Sequence, residues 1–265
     1  MTALAYTRAG SGPPLVLLHG IGSWRGAWDP VIPGLAERFD VIAADLPGFG
    51  ESAPLPAGEP TPAALAAAVA GLLDELGITA AHLAGNSLGG WVALELAGLR
   101  PAASVALLSP AGLWRDDCPV YCRVSLRASW WLSRHAGGLL ARAVGCRPGR
   151  VLVLGQTHGR PAGLDPAYAR AAVRALASGP AFDAALRATT RRRYRSGPPL
   201  GCPVSLVFGS RDLIFLPRQS RHQDQLPVST RLSVLPGCGH VPMADNPGAV
   251  ARFITESAAR AHAPA

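Results

Sequence analysis

Ala81-His82-Leu83-Ala84-Gly85-Asn86-Ser87-Leu88-Gly89-Gly90 is a short apolar run that breaks at a glycine-flanked serine and opens a helical pattern near Trp91. A strand that turns sharply into a helix holds the residue at the turn clear of its own backbone, but only if the neighbours are small. Gly85 and Gly89 leave that room. The start of the helix then offers unpaired N–H groups and the positive end of a dipole to a developing oxyanion. Ser87 therefore reads as a nucleophile at the end of a sheet. A glycine-rich turn with a structural serine would match the same five letters, so the flanking sequence has to decide.

It repeats the same grammar. Leu15-Val16-Leu17-Leu18 ends at His19-Gly20, Val41-Ile42-Ala43-Ala44 ends at Asp45, and the run 105–108 ends at Ser109-Pro110. The run 204–208 ends at Gly209-Ser210, and 231–235 ends at Pro236-Gly237. Apolar runs of this length, closed by Gly, Pro or Asp, predict strands buried on both faces. Helical patterns are expected at 61–76, 89–99, 217–226 and 247–261. Strand and helix in alternation imply an α/β fold, a mostly parallel central sheet with helices on both faces. Residues 4–8 add an expected antiparallel strand at one edge.

Residues 112–198 break the rhythm: 87 residues with Val151–Leu154 as the only β-like run. The stretch predicts a helical cap (112–198) inserted into a core made of 1–111 and 199–265. Ordinary connecting helices are the alternative, but connections are usually far shorter.

Length suits one large domain or two small ones, and 49% hydrophobic residues against 16% charged argue against a disordered chain. All 25 basic residues are arginine, giving +8 overall. The expected cap holds 15 Arg against Asp116, Asp117, Asp165 and Asp183. That field would attract an anionic substrate or an acidic carrier protein, or it is a solvated face. Without a basic motif, no nucleic-acid partner is expected.

Residues 1–10 show no secretory pattern, and 63–73 is too short to span a bilayer. No membrane partner is expected. Five irregularly spaced cysteines form no zinc pattern and point to reduced thiols in the cytoplasm. No metal or organic cofactor is implied.

A serine hydroxyl needs a base, and the base needs an acid to fix its tautomer. His240 follows the last strand, at the end of a parallel sheet where ligands bind. Asp212, in Gly209-Ser210-Arg211-Asp212, follows the preceding strand; Asp116 and Asp117 are runners-up. His19 reads as a loop-shaping residue, His82 as a core residue and Asp45 as a turn cap. His135, His158, His222 and His262 default to the surface or the cap. Trp24 and Trp114 are candidate walls of an apolar pocket, Trp28 less so, and at most one of Trp130 and Trp131 can face it.

Taken together these residues resemble the α/β-hydrolase superfamily, in its serine-nucleophile branch with a helical cap, over nearly the whole chain. The resemblance rests on His19-Gly20-Ile21-Gly22, Asp45-Leu46-Pro47-Gly48-Phe49-Gly50-Glu51-Ser52, Gly85-Asn86-Ser87-Leu88-Gly89-Gly90, Gly209-Ser210-Arg211-Asp212 and Gly239-His240. It implies Ser87 as nucleophile, Asp212 as acid and His240 as base. It further implies an oxyanion hole from the backbone N–H groups of Ile21 and Leu88, with Gly20, Trp24 and Trp114 near the substrate. The implied activity is that of a carboxylesterase-like serine hydrolase on an ester, lactone or thioester. Dehalogenases and epoxide hydrolases of this fold use Asp where this chain has Ser87, and carbon–carbon bond hydrolases usually carry Trp where it has Val241. Alternatives on the same scaffold are a carbon–carbon bond hydrolase, a natural-product cyclase or isomerase, and a ligand-binding receptor with slow turnover. The expected partner is a small ester-like molecule, an anionic one included; a homodimer is left open.

Overall fold

The computed structural model describes residues 4–197 and 199–262. Pro198, the expected outer limit of the cap, lies outside the described residues, as do 1–3, 263–265 and the side chain of His262. Seven strands form one sheet: β1 (Tyr6–Ala9), β2 (Pro14–Leu18), β3 (Asp40–Ala44), β4 (Ala81–Asn86), β5 (Ala102–Leu108), β6 (Val204–Gly209) and β7 (Arg231–Leu235). Their order is β1-β3-β2-β4-β5-β6-β7. β1 runs antiparallel to β3, with Tyr6 opposite Ala44, and every other pairing is parallel.

Side chains of a strand alternate between faces, so a strand covered on both sides must be apolar throughout. In β2, Val16 and Leu18 join the core under α2 (Pro62–Glu75) and α3 (Leu88–Leu99). Leu15 and Leu17 join the opposite core with Leu35 of α1 (Ile32–Ala36) and with Val250 and Ile254 of α9 (Pro247–Ala259). β7 departs from the expectation: as an edge strand it exposes Arg231 to Val234 and buries only Leu235.

Between β5 and β6 the chain forms α4 (Val120–Ala143), α5 (Arg147–Leu154), α6 (Pro166–Ser178) and α7 (Phe182–Thr190). This helical insertion has a small core of its own, built on Val144, Leu154, Leu164, Ala169 and Val173. Val151–Leu154 is helical, not extended: Pro148 opens α5, and the run packs one side inward. The helix expected at 217–226 is only α8 (Pro217–Ser220). Among the described residues no helix is long and apolar enough to cross a membrane.

The strand order sets the site. From β2 the chain passes to β3 on one side and then to β4 on the other, so β2 and β4 flank a topological switch point. Ligands of open α/β sheets bind beyond the carboxyl ends of the strands at such a point.

Candidate active site

Ser87 stands at that point, between β4 and α3, with φ 54° and ψ −118°. These angles suit glycine, and a side chain there costs on the order of 1–3 kcal/mol. The surroundings impose them. The Ser87 N–H donates to Leu108 O at 3.0 Å, and its carbonyl accepts from Gly90 at 3.0 Å and Ala111 at 2.9 Å. A Cβ at Gly85 would lie 2.2 Å from Gly89 O, and one at Gly89 2.2 Å from Leu18 O. Both positions require glycine.

His240 follows β7. Its Nδ1 is 3.0 Å from Asp212 Oδ2, and both side chains are almost fully buried. The other carboxylate oxygen accepts the N–H groups of Ile214 and Phe215, each at 2.9 Å. Burial alone would push the Asp212 carboxyl up. The charge and hydrogen bond of His240, the Phe215 N–H and the neighbouring Ser109 hydroxyl outweigh it, and the group lies below the usual aspartate range. That hydroxyl is buried and makes no hydrogen bond of standard geometry, so its influence is that of a nearby dipole. A charged Asp212 takes the Nδ1–H and leaves Nε2 free to accept a proton.

The depressed carboxyl has a consequence for stability. The contribution of Asp212 is complete above its unfolded value of about 3.9 and is lost as pH falls through the lower folded value. Urea unfolding will show Asp212→Asn less stable than the parent at neutral pH, with the gap closing in acid. A gap that stays constant with pH would contradict this account.

Sequence reasoning missed Asn86. Its side-chain amide donates to Leu108 O at 3.0 Å and to the carbonyl of His240 at 2.8 Å. The residue before the serine thus pins the backbone of the histidine. On the other side, a Cβ at Gly20 would lie 3.1 Å from the Ser87 Cβ, so the loop after β2 runs directly against the serine. Among the described residues, neither the Ile21 nor the Leu88 N–H donates to a protein acceptor.

His19 shapes this loop as expected. Its Nδ1–H donates to Gly20 O at 2.8 Å, and Nε2 accepts the Leu46 N–H at 3.0 Å. Complete burial lowers its pKa, so it is neutral. Asp45 accepts the Glu51 N–H at 2.9 Å, capping its turn, and also pairs with the Arg25 guanidinium. His82 is bonded to Ser104 Oγ at 2.9 Å inside the sheet. Asp116 and Asp117 are exposed in an Arg-lined surface depression.

Trp24 lines a cavity of about 100 Å³ together with Ile21, Val241 and, from the insertion, His158, Tyr168 and Leu176; Ser87, Asp212 and His240 are not among its lining residues. Trp114 does not line this cavity. It is 3% exposed, its indole N–H donates to Arg192 O at 2.6 Å, and its ring lies edge-on to Trp91 and Phe215. Phe215 in turn meets the His240 ring at 4.6 Å, so Trp114 belongs to the packing behind the imidazole. Trp28 is fully buried in the core, Trp130 stacks on Phe182 at 5.3 Å, and Trp131 is exposed. Larger depressions of about 590–770 Å³ are open and Arg-lined, and none is lined by Ser87, Asp212 or His240.

His158 lies in the insertion, one of the two places expected for it, and is buried. Burial lowers its pKa to about 4, so it adds a neutral imidazole to the cavity wall, bonded to Thr157 Oγ1 at 2.9 Å. Asp245, also unforeseen, accepts the N–H groups of Gly159 at 2.7 Å, Arg160 at 2.8 Å and Gly239 at 2.8 Å. One carboxylate thereby joins the insertion to the loop that carries His240.

Known proteins fit this architecture. A solved esterase from Thermogutta terrifontis superposes with a TM-score of 0.77 at 26% identity, covering 98% of this chain and 94% of that one. An epoxide hydrolase of Mycobacterium tuberculosis is 35% identical over 188 residues, 69% of this chain and 88% of its own length. The acetyltransferase component of an acetoin-cleaving system from Cupriavidus necator is 46% identical over 110 residues, 40% of this chain. This chain spans only 29% of that relative's length. The model of the alpha/beta hydrolase family matches residues 15–253. The chain belongs to the α/β-hydrolase family.

Proposed function

We propose that this hydrolase-family member cleaves a carboxylic ester, lactone or thioester through an acyl-enzyme on Ser87. The observation that carries the reading is the Asp212–His240 pair, held by Asn86 beside a serine kept at positive φ. His240 Nε2 takes the Ser87 proton as the oxygen attacks the carbonyl carbon. The oxyanion meets the free N–H groups of Leu88 and Ile21. On collapse, His240 protonates the leaving group; water activated by the same imidazole then releases the acid.

The helical insertion acts as a cap in this reading. Its residues wall the 100 Å³ cavity beside Ile21 and Val241. The similarity to an esterase over nearly the full chain supports the reading. The epoxide hydrolase relative does not transfer its reaction, because that chemistry uses a carboxylate where this chain has Ser87. Five free thiols support a cytoplasmic location.

A fluorophosphonate probe will label the protein once, on the tryptic peptide that contains Ser87. Preincubation with a good substrate will slow the labelling. Folded protein that takes up no probe would refute the proposal.

A further inference from the structure

Helix α4 keeps apolar residues on both sides. Its inward side carries Cys122, Ser133 and the half-buried Leu126 and Trp130, while on its outer side Leu139 is 69% and Trp131 56% exposed. The periodicity is orderly. Val120, Val124 and Trp131, at i, i+4 and i+11, point within about 40° of one another. Tyr121 and Leu132 form a second apolar row beside the first, and Leu139 is exposed beyond a kink in the helix at Ala136. Arg123, Arg127 and Arg134, with the same spacing as the first row, flank it on the other side. Helix α5 extends the surface with Val151 and with Leu152, 86% exposed. Leu132 and Leu152 both border an apolar depression of about 380 Å³ between α4, α5 and α6.

The charge that α4 and α5 themselves bring to this face is of one sign. Residues 118–164 contain seven Arg and no Asp or Glu. On α4, Arg127 reaches an acid at 2.7 Å, Asp183 of α7. A second copy would bring arginines to arginines with no carboxylate from this stretch between them, so self-association through this face is opposed by its own charge. Exposed Trp, Tyr and Leu bordered by Arg instead match what an interfacial helix needs: apolar side chains for the acyl boundary and cations for the headgroups.

We infer that the outer face of α4 and α5 docks on a bilayer rich in anionic phospholipid. The absence of a membrane partner expected from the sequence rested on span length, and a helix that lies on a surface is not bound by that length. The inference is independent of the chemistry assigned to Ser87, so parent and Ser87→Ala protein will behave alike.

Full-length protein will co-sediment with vesicles of phosphatidylcholine containing about one third phosphatidylglycerol, and not with pure phosphatidylcholine. Raising salt from about 0.1 M to about 0.5 M will release it, because the attraction is screened. Arg134→Gln with Arg142→Gln will weaken partitioning about 25-fold, from about fivefold per arginine. Leu132→Ser with Leu139→Ser will weaken it about tenfold or more. Arg134, Arg142 and Leu139 face solvent and Leu132 is 46% exposed, so both variants will stay folded, which a cooperative thermal unfolding transition in each will show. Failure to sediment at low salt overturns the inference, as does sedimentation that neither pair of changes reduces. A stable dimer in light scattering that the serine changes dissociate also overturns it, by assigning the face to a second copy.

Discussion

Replacing Ser87 by alanine will lower the rate of p-nitrophenyl ester hydrolysis by about 10⁴-fold or more, and His240→Ala will do the same. The two losses will not add. A serine without its base is a poor nucleophile, and a base without its serine has nothing to activate, so the double variant will be no slower than either single one. The rate left over will come from the Leu88 and Ile21 N–H groups and from binding. Alanine keeps the side-chain cost of φ 54° at position 87, whereas Ser87→Gly removes it. Ser87→Gly will therefore be equally inactive yet more stable, by about 1 kcal/mol in urea unfolding. The pattern separates the chemistries this scaffold supports. If Ser87→Ala spares most of the turnover and His240→Ala abolishes it, the imidazole works without an acyl-enzyme and the reaction is a rearrangement or cyclisation. If the parent binds esters tightly and releases no nitrophenol, the chain is a receptor.

The parts of the fold that the sequence shows plainly are those decided by neighbouring residues. Each buried strand carries an apolar run, because both faces of the sheet are covered, and the few polar residues inside are bonded to one another or to backbone, as His82 is to Ser104. The serine turn is legible because two glycines are sterically compulsory within five residues. The misread elements are short. Val151–Leu154 is apolar and β-branched enough to pass for a strand, and four residues carry too little periodicity to tell a helix from a strand. The helix begun at Pro217 stops at Ser220, where the chain turns and Arg221 lies over the Phe208 ring at 4.4 Å. Nothing local announces that contact. The same division holds at the site. Ser87, Asp212 and His240 each follow a strand and can be found by position. Trp114 looked like a pocket wall because it opens the insertion, but its surroundings come from residues 91, 192 and 215, all distant along the chain.

Asp245 is the clearest case of a role hidden in local sequence, and it carries the second large prediction. Asp245-Asn246-Pro247 offers two capping side chains to one helix. Asn246 Oδ1 takes the position, accepting the Ala249 N–H at 3.2 Å. The surplus carboxylate, 7% exposed, is free to bind elsewhere, and its three N–H partners come from both sides of a tight seam. A Cβ at Gly239 would lie 2.6 Å from Gly159 N and 2.7 Å from Thr157 O, so the two loop segments of the seam touch backbone to backbone. The Val241 N–H donates across it to Thr157 O at 2.9 Å, and the Arg211 guanidinium to Gly159 O at 2.9 Å. Asp245→Ala leaves three N–H groups without an acceptor where water has little access. Each orphaned group costs about 1–3 kcal/mol, and partial relaxation brings the expected loss to about 3–5 kcal/mol in urea unfolding. Asp245→Asn will recover little of it, because one of its two terminal atoms would present donors to donors. The folded fraction will also lose activity. His240 sits between Gly239 and Val241, both fixed by the seam, and a displacement of about 1 Å at a catalytic group costs on the order of 10² in rate. Stability within about 1 kcal/mol of the parent, together with undiminished turnover, would show that the seam holds without its carboxylate and that His240 is positioned by Asp212 and Asn86 alone.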